Sequence, residues 1–252
     1  RDGGHGFILA AALAFYHLAR HAKRWLLWRG YVGPPEAPEL ALDEGGEGPD
    51  LTFLIVNYNA GVWLGRCLRS LRAAAGGLAA EAVIVDNASA DGSLDQAPEA
   101  YPGARVIANA RNEGFARAVN RGLRESRGRC LVLVNPDSEV AEGSLREALR
   151  WLEERPQTGL LGPRILYPDG RPQPSVAAFT GLAGLLAQVL HLGRWLRRPG
   201  LRRVTGRAAR ALGLRMLAEH CAADLAAGTP RSVDWLSAAF VLVKREVFVQ
   251  VG

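Results

Sequence analysis

From Leu51 onward the chain repeats one pattern: a short run of β-branched and aliphatic residues, then a segment with apolar residues at helical spacing. "LTFLIVNY" precedes Val62 to Ala75, "EAVIVDN" precedes a short helix near Ser93 to Ala97, "ARVIAN" precedes Ala116 to Ser126, and "CLVLVN" precedes Gly143 to Glu154. Buried strands alternating with helices of these lengths specify βαβ units and an α/β fold with a mostly parallel sheet flanked by helices. In such sheets ligands gather beyond the carboxyl ends of the strands. The functional question therefore narrows to four stretches: Asn57-Tyr58-Asn59, Asp86-Asn87-Ala88-Ser89, Asn109 to Gly114, and Asn135-Pro136-Asp137. One such end reads as an ordinary turn or helix cap; four in succession read as a site.

The 252 residues, 48% of them hydrophobic, are enough to bury a core in one or two domains. A net charge of +6 suits a polyanion, an anionic membrane surface or a phosphorylated substrate, and does not choose among them. Cys67, Cys130 and Cys221 are widely spaced, with no CxxC pair and no His at metal-ligand spacing, so neither a disulfide framework nor a zinc site is indicated. A reducing compartment is the simpler reading.

Three regions follow from composition. Residues 1–32 form a basic and apolar helical segment: "FILAAALAFY" is shorter than the about 20 residues that span a bilayer, and His17, Arg20, His21, Lys23 and Arg24 follow it, with Trp25 and Trp28 close behind. Positive charges that follow the apolar run, with no small-residue cleavage site, argue against a signal peptide. Two readings stay open here, a Trp-bearing helix lying on a membrane surface and the end of an upstream helical element packed on protein. Residues 33–50, "GPPEAPELALDEGGEGPD", read as a linker rich in Pro, Gly and acid. Residues 51–252 form the folded domain. Within it, Pro168-Asp169-Gly170 marks a tight turn between two short extended pieces, and Phe179 to Leu225 reads as two helices. Their basic face, carrying Arg194, Arg197, Arg198, Arg202, Arg203, Arg207 and Arg210, is either a solvated surface or a contact for lipid head groups. Val233 to Val243 reads as one strand, with a helix starting near Lys244.

Several motifs, in order and at their spacing, carry a resemblance. They are "IVNYNAG" (55–61), "VIVDNASADGS" (83–93), "NARNEGFARAVNRGL" (109–123), "LVLVNPDSEV" (131–140), "GLLGPRILYPDGRPQPS" (159–175) and "VDWLSAAFVLVKREVF" (233–248). Over Leu51 to Gly252 the chain resembles bacterial inverting glycosyltransferases of family 2, with the Rossmann-like GT-A fold, and most closely their rhamnosyltransferase-like branch. The resemblance implies transfer of a sugar, rhamnose favoured, from a dTDP- or UDP-linked donor to a polysaccharide or lipid-linked glycan acceptor, and no nucleic-acid partner. It implies that Asp86 accepts a hydrogen bond from the imide N–H of uracil or thymine and that Asn57 and Tyr58 flank base and ribose. Asn59, Asn87 and Ser89 belong to the same nucleotide-sugar site, and Arg111 approaches the base edge or a phosphate. Asn112, Gly114 and Phe115 would form a loop over the nucleotide, with Asn135 beside the diphosphate. Asp137 stands at the last acid of the family's DxD motif, which holds Mg²⁺ or Mn²⁺; Asn135 replaces the first acid, the form usual in this branch. One carboxylate plus two phosphate oxygens suits such a hard cation. Trp235 and Ser237 correspond to the acceptor side.

Inversion also needs a carboxylate base. In the family that acid lies beyond the point where this chain stops at Gly252, so the resemblance implies a chain that ends before its catalytic base. Two rivals remain: a non-catalytic nucleotide-sugar-binding module, and a nucleotidyltransferase, the latter weakened because "NYNAG" stands where a GxGxxG or GxxxxGK[ST] loop would be. The expected location is cytoplasmic, with or without peripheral contact at the inner face of the membrane.

Overall fold

The computed structural model describes residues 48–173, 175–177, 230, 232–233 and 235–251. The helical segment expected over residues 1–32, the linker up to residue 47 and the two basic helices expected between Phe179 and Leu225 lie outside the described residues.

Four βα units follow in order: β1 (Leu51–Asn57) and α1 (Val62–Ala75), then β2 (Ala80–Asp86) with a 3-10 turn (Ser93–Gln96) and α2 (Ala97–Ala100). β3 (Arg105–Ala108) leads to α3 (Phe115–Glu125), and β4 (Cys130–Val134) to α4 (Ser144–Glu153). The remaining elements are β5 (Leu160–Leu161), β6 (Val176–Ala177), β7 (Trp235–Leu236), β8 (Phe240–Lys244) and α5 (Arg245–Val251). Six strands pair in the order β3-β2-β1-β4-β8-β5. β1 is parallel to both β2 and β4, and β2 to β3, whereas β8 runs antiparallel to β4 and β5. The sheet is thus mostly parallel, as the alternating pattern requires.

The central strands β1, β2 and β4 are largely buried on both faces because helices cover both. Leu51, Phe53 and Ile55 share one face with Ala82, Ile84, Val132 and the apolar sides of α1 and α4. Leu54, Val83, Val85 and Leu131 share the other with Ala118 and Leu123 of α3. Gly122 lets α3 lie close to the sheet: a methyl group there would sit 2.2 Å from Leu54 Cδ1 and 2.8 Å from Val85 Cγ2.

At the amino ends of the strands Asp50 ties three neighbours together. Its carboxylate accepts from Arg129 Nη2 (2.6 Å) and from the Ala79 N–H (3.1 Å), and its carbonyl accepts from Cys130 N (3.1 Å). The hydrogen bond from Arg129 holds the Asp50 carboxyl below the usual carboxylate range, against the opposing pull of burial. A depressed folded-state pKa stabilises the fold above the unfolded value, near 4, and this contribution disappears as pH falls through the folded one. Asp50→Asn is therefore expected to lower stability at pH 7 by less than about 1 kcal/mol, since the pair is partly solvated. The difference from the parent chain should close below about pH 4 in urea denaturation run across pH.

Two details differ from the sequence reading. The expected strand over Val233 to Val243 is broken: β7 and β8 are separated by a turn at Ala238 and Ala239, closed where the Ala239 N–H donates to Ser237 Oγ at 3.3 Å. Its small residues and hydroxyl permit a turn that an apolar run hides. The tight turn at Pro168-Asp169-Gly170 is present, with Tyr167 N donating to the Arg171 carbonyl at 2.8 Å, but its flanks meet in a single bridge, Leu166 to Pro172.

Candidate functional site

The strand order reverses between β1 and β4, the chain running outward through β2 and β3 on one side and through β4 on the other. A crevice beyond the carboxyl ends at such a switch point is the expected ligand position. Register brings the polar ends there together: Asn57 is level with Asp86, Asp86 with Ala108, and Ile55 with Val134. Two strand spacings, about 10 Å, separate the tips of β2 and β4.

Asp86 sits at the centre of a closed network. Only 3% exposed, it accepts from Asn57 Nδ2 (2.8 Å) and Ser89 Oγ (2.6 Å) at Oδ1 and from the Ser89 N–H (2.9 Å) at Oδ2. Three acceptor positions of roughly four are thus filled from within the protein, leaving room for one further donor at Oδ2. Asn57 is fully buried; its Nδ2 also faces Ser89 Oγ (3.0 Å) and Ser93 Oγ (2.8 Å), so its side chain orients Asp86 from beneath. Its Oδ1 is buried with no hydrogen-bond partner among the described residues, an arrangement that costs stability and marks this end as built for something other than packing.

Ser89 links the first two strand ends, because its hydroxyl oxygen also accepts the Asn59 N–H at 2.9 Å, and Asn59 Oδ1 accepts the Ala90 N–H at 2.9 Å. Ala88 is held at φ 62° within this turn. A non-glycine residue in that conformation is strained by about 1–2 kcal/mol, and such strain concentrates at functional sites. Asp91 braces the turn from outside, accepting the Gly61 N–H (2.6 Å) and the Ser93 N–H (3.0 Å). A hydrogen bond with the Ser93 side chain is the main cause that lowers its pKa, and these two N–H donors add to it against the opposing pull of burial.

The third strand end is tied to the second through buried amides. Asn109 Nδ2 donates to Asn87 Oδ1 (2.8 Å), and Arg121 of α3 donates to Asn109 Oδ1. The loop beyond is open: Arg111, Asn112, Gly114 and Phe115 are all exposed. Asn112 Oδ1 accepts the Gly114 N–H at 2.9 Å, and Gly114 has φ 83°, where glycine is at ease. Tyr58 and Phe115 are 52% and 47% exposed, leaving aromatic surface at the rim where a flat base or sugar could stack.

The fourth end carries the acids. Asn135 is half-buried and its N–H donates to the Ala239 carbonyl at 2.9 Å, so the Ser237 turn adjoins the tip of β4. Asp137 and Glu139 are exposed. Their negative field is felt by Cys67 beneath, whose thiol is pushed up to about 12, first by burial and then by these two carboxylates. No group of three His, Cys, Asp or Glu among the described residues could hold a metal on its own. One exposed carboxylate fits a divalent ion completed by substrate phosphates, and does not fit a closed protein cage.

The sequence-predicted residues at the ends of β1, β2, β3 and β4 therefore lie along one edge of the sheet. Trp235, 42% exposed, lies on the separate short strand β7. Sequence reasoning flagged Asn109 only as the start of a polar stretch and missed Ser93 and Arg121, whose polar character beside apolar segments was the only signal. A cavity of about 410 Å³ opens at the opposite edge, lined by Arg129, Glu153 and Lys244 among others. Its cations are engaged, Arg129 with Asp50 and Glu153 and Lys244 with the carbonyls of Arg155 and Pro156, which makes it a structural seam. Among the described residues no helix is long and apolar enough to cross a membrane.

The model of glycosyl transferase family 2 matches residues 52–223, and the chain belongs to that family. It is similar to the N-acetylglucosaminyl-diphospho-decaprenol L-rhamnosyltransferase of Mycobacterium tuberculosis (strain ATCC 25618 / H37Rv), with 31% identity over 220 residues, 80% of this chain and 64% of that protein. It thus spans about 64% of the length of that curated relative. The succinoglycan biosynthesis protein ExoO of Rhizobium meliloti (strain 1021) is 34% identical over 104 residues, 40% of this chain and 29% of that one. Among solved structures, the mannosyltransferase PcManGT from Pyrobaculum calidifontis, in complex with GDP-Man and Mn2+, aligns with 97% of this chain and 58% of its own at 19% identity and a TM-score of 0.49.

Proposed function

We propose that this family 2 member transfers a sugar, rhamnose favoured, from a dTDP- or UDP-linked donor to a lipid-linked or polysaccharide glycan, with inversion at the anomeric carbon. The observation that carries the reading is the pairing of two unlike acids across the switch point. Asp86 is buried, oriented by Asn57 and Ser89, and retains capacity for one donor. Asp137 is exposed just past the tip of β4, with β1 between it and β2. A nucleoside diphosphate offers a matching pair of features, an imide N–H at the base and negative charge at the diphosphate. The separation of about 10 Å between the tips suits its length.

On this reading Asp86 receives the imide N–H, Tyr58 lies along the base and ribose, and Arg111 approaches the base edge or a phosphate. Asn112, Gly114 and Phe115 close over the nucleotide. Asp137 would hold Mg²⁺ or Mn²⁺, with Asn135 beside it, and the ion would supply positive charge for the diphosphate leaving group. Trp235 and Ser237 face the acceptor. The lipid-linked acceptor is favoured by the rhamnosyltransferase relative, whose own name specifies a decaprenol diphosphate carrying N-acetylglucosamine. Work on such an acceptor would place the protein at the cytoplasmic face of a membrane. The domain limits proposed are 1–32, 33–50 and 51–252.

The test is incubation of the chain with dTDP-rhamnose, Mn²⁺ and a polyprenyl-diphosphate N-acetylglucosamine acceptor, with the product linkage read by NMR. An inverted rhamnosyl product supports the reading. Donor binding without any transfer, also by a chain extended beyond Gly252 with the family's C-terminal region, would favour the non-catalytic nucleotide-sugar-binding module.

A further inference from the structure

Helix α1 reaches the acidic loop after β4 from three positions on one side. The Cys67 thiol donates to the Asn135 carbonyl at 3.6 Å, and Ser70 Oγ accepts the Val140 N–H at 3.0 Å. The Arg66 guanidinium lies 3.5 Å from the Glu139 carboxylate. Ser70 Oγ also donates to the Cys67 carbonyl at 2.8 Å, so a bond inside the helix aims its free lone pairs at Val140. From the opposite side the turn before β8 grips the same loop through the Ala239 carbonyl, which accepts the Asn135 N–H at 2.9 Å.

The loop is therefore fixed at both ends and free in the middle. Between Asn135 and Val140 stand Pro136, Asp137, Ser138 and Glu139, tightened by the Ser138 N–H donating to the Asn135 carbonyl at 3.1 Å. Among the described residues no hydrogen bond is made to the Asp137 carboxylate, so its position is set by the backbone that carries it and not by its own partners. The anchors differ in weight. Arg66 and Glu139 are each about half exposed, at 53% and 56%, and an ion pair in water holds little. Cys67 is fully buried and its thiol stays protonated at neutral pH, so its donor role persists.

We propose that Cys67 and Ser70 are positioning residues for Asp137: together they clamp both ends of the loop so that its carboxylate is presented at one place to a divalent cation. The proposal rests on the donor-site reading above and deepens it. Groups that orient a metal-binding carboxylate without touching the metal commonly alter metal affinity about 10- to 100-fold.

The experiment titrates dTDP into the full chain with Mn²⁺ and with chelator, comparing the parent with Cys67→Ala/Ser70→Ala, Cys67→Ser, Ser70→Thr and Asp137→Ala, and follows amide exchange of residues 136–140 without metal. The double variant is expected to lose about tenfold or more of the Mn²⁺-dependent gain in affinity. Its metal-free dTDP affinity should be unchanged and its loop amides should exchange faster, while Ser70→Thr, which keeps the hydroxyl, retains the gain. An unchanged Mn²⁺ gain in the double variant overturns the clamp while leaving the donor site standing. A parallel fall in metal-free affinity and melting midpoint also overturns it, because that is the signature of a purely structural contact. If Asp137→Ala itself leaves the Mn²⁺ gain intact, the donor-site reading fails and the clamp falls with it.

Discussion

Replacing Asp137 with alanine is expected to lower Mn²⁺-dependent affinity for dTDP or UDP by about 100-fold or more, and sugar transfer with it. The size follows from the donor set: Asp137 is the exposed carboxylate at the tip of β4, Asn135 beside it is neutral, and no three acidic or imidazole ligands cluster elsewhere among the described residues. Removing one protein ligand from a site with few to spare exceeds the 10- to 100-fold typical of residues that only orient a ligand. Stability should stay within about 0.5 kcal/mol of the parent, since the side chain is exposed and away from the core. Glu139→Ala, on the same loop but paired with Arg66 at 3.5 Å, should change affinity only a few-fold. Calorimetric titration with metal and with chelator reads both variants. Equal losses for Asp137 and Glu139 would mean that general negative charge, and not a specific ligand, matters at this edge.

The second large effect is expected at Asp86. Asp86→Asn keeps the shape of the side chain but introduces a donor where the site supplies an acceptor. A uracil or thymine imide N–H then faces an N–H group, while the unprotonated ring nitrogen of cytosine gains a partner. Loss of one matched hydrogen bond to a base edge typically removes about 1–3 kcal/mol of discrimination. UDP and dTDP should therefore weaken by about tenfold or more and CDP should gain relative to both. Asp86→Ala is harsher, because Asn57 Nδ2 and the Ser89 hydroxyl and N–H would lose a buried acceptor. Each donor so orphaned costs about 1–3 kcal/mol, so that variant should lose stability as well as binding. Competition binding with UDP, dTDP and CDP, alongside urea denaturation, separates the two consequences. Unaltered base preference in Asp86→Asn would remove Asp86 from base recognition.

What could be read from the sequence followed from local rules. Helix α1 runs from Val62 to Ala75 as expected, flanked by Gly61 and by the left-handed Gly76. The four polar strand ends were legible because Asn and Asp interrupt runs that are otherwise aliphatic, and parallel topology places those ends along one edge. What stayed hidden depends on contacts distant in sequence. Nothing local distinguishes Asn57, buried beneath Asp86, from Tyr58, 52% exposed at the rim; burial is decided by β2 and the Ser93 turn packing over the tip of β1. Ser70 reads as a polar position on an amphipathic helix until Val140, 70 residues away, is found donating to it. The insertion of β8 between β4 and β5 in antiparallel sense was equally silent, because a five-residue apolar strand carries no mark of its direction.

The central claim is that a uracil- or thymine-bearing nucleoside diphosphate binds across the tips of β1, β2 and β4 with a divalent ion at Asp137. It is tested most directly by titrating the full chain with UDP, dTDP, CDP and GDP, each with Mn²⁺ and with chelator. The account predicts that UDP or dTDP binds at least about tenfold more tightly than CDP and GDP, and that chelator removes most of that affinity. Binding indifferent to the base and to the metal, or no binding to any of the four, would contradict it.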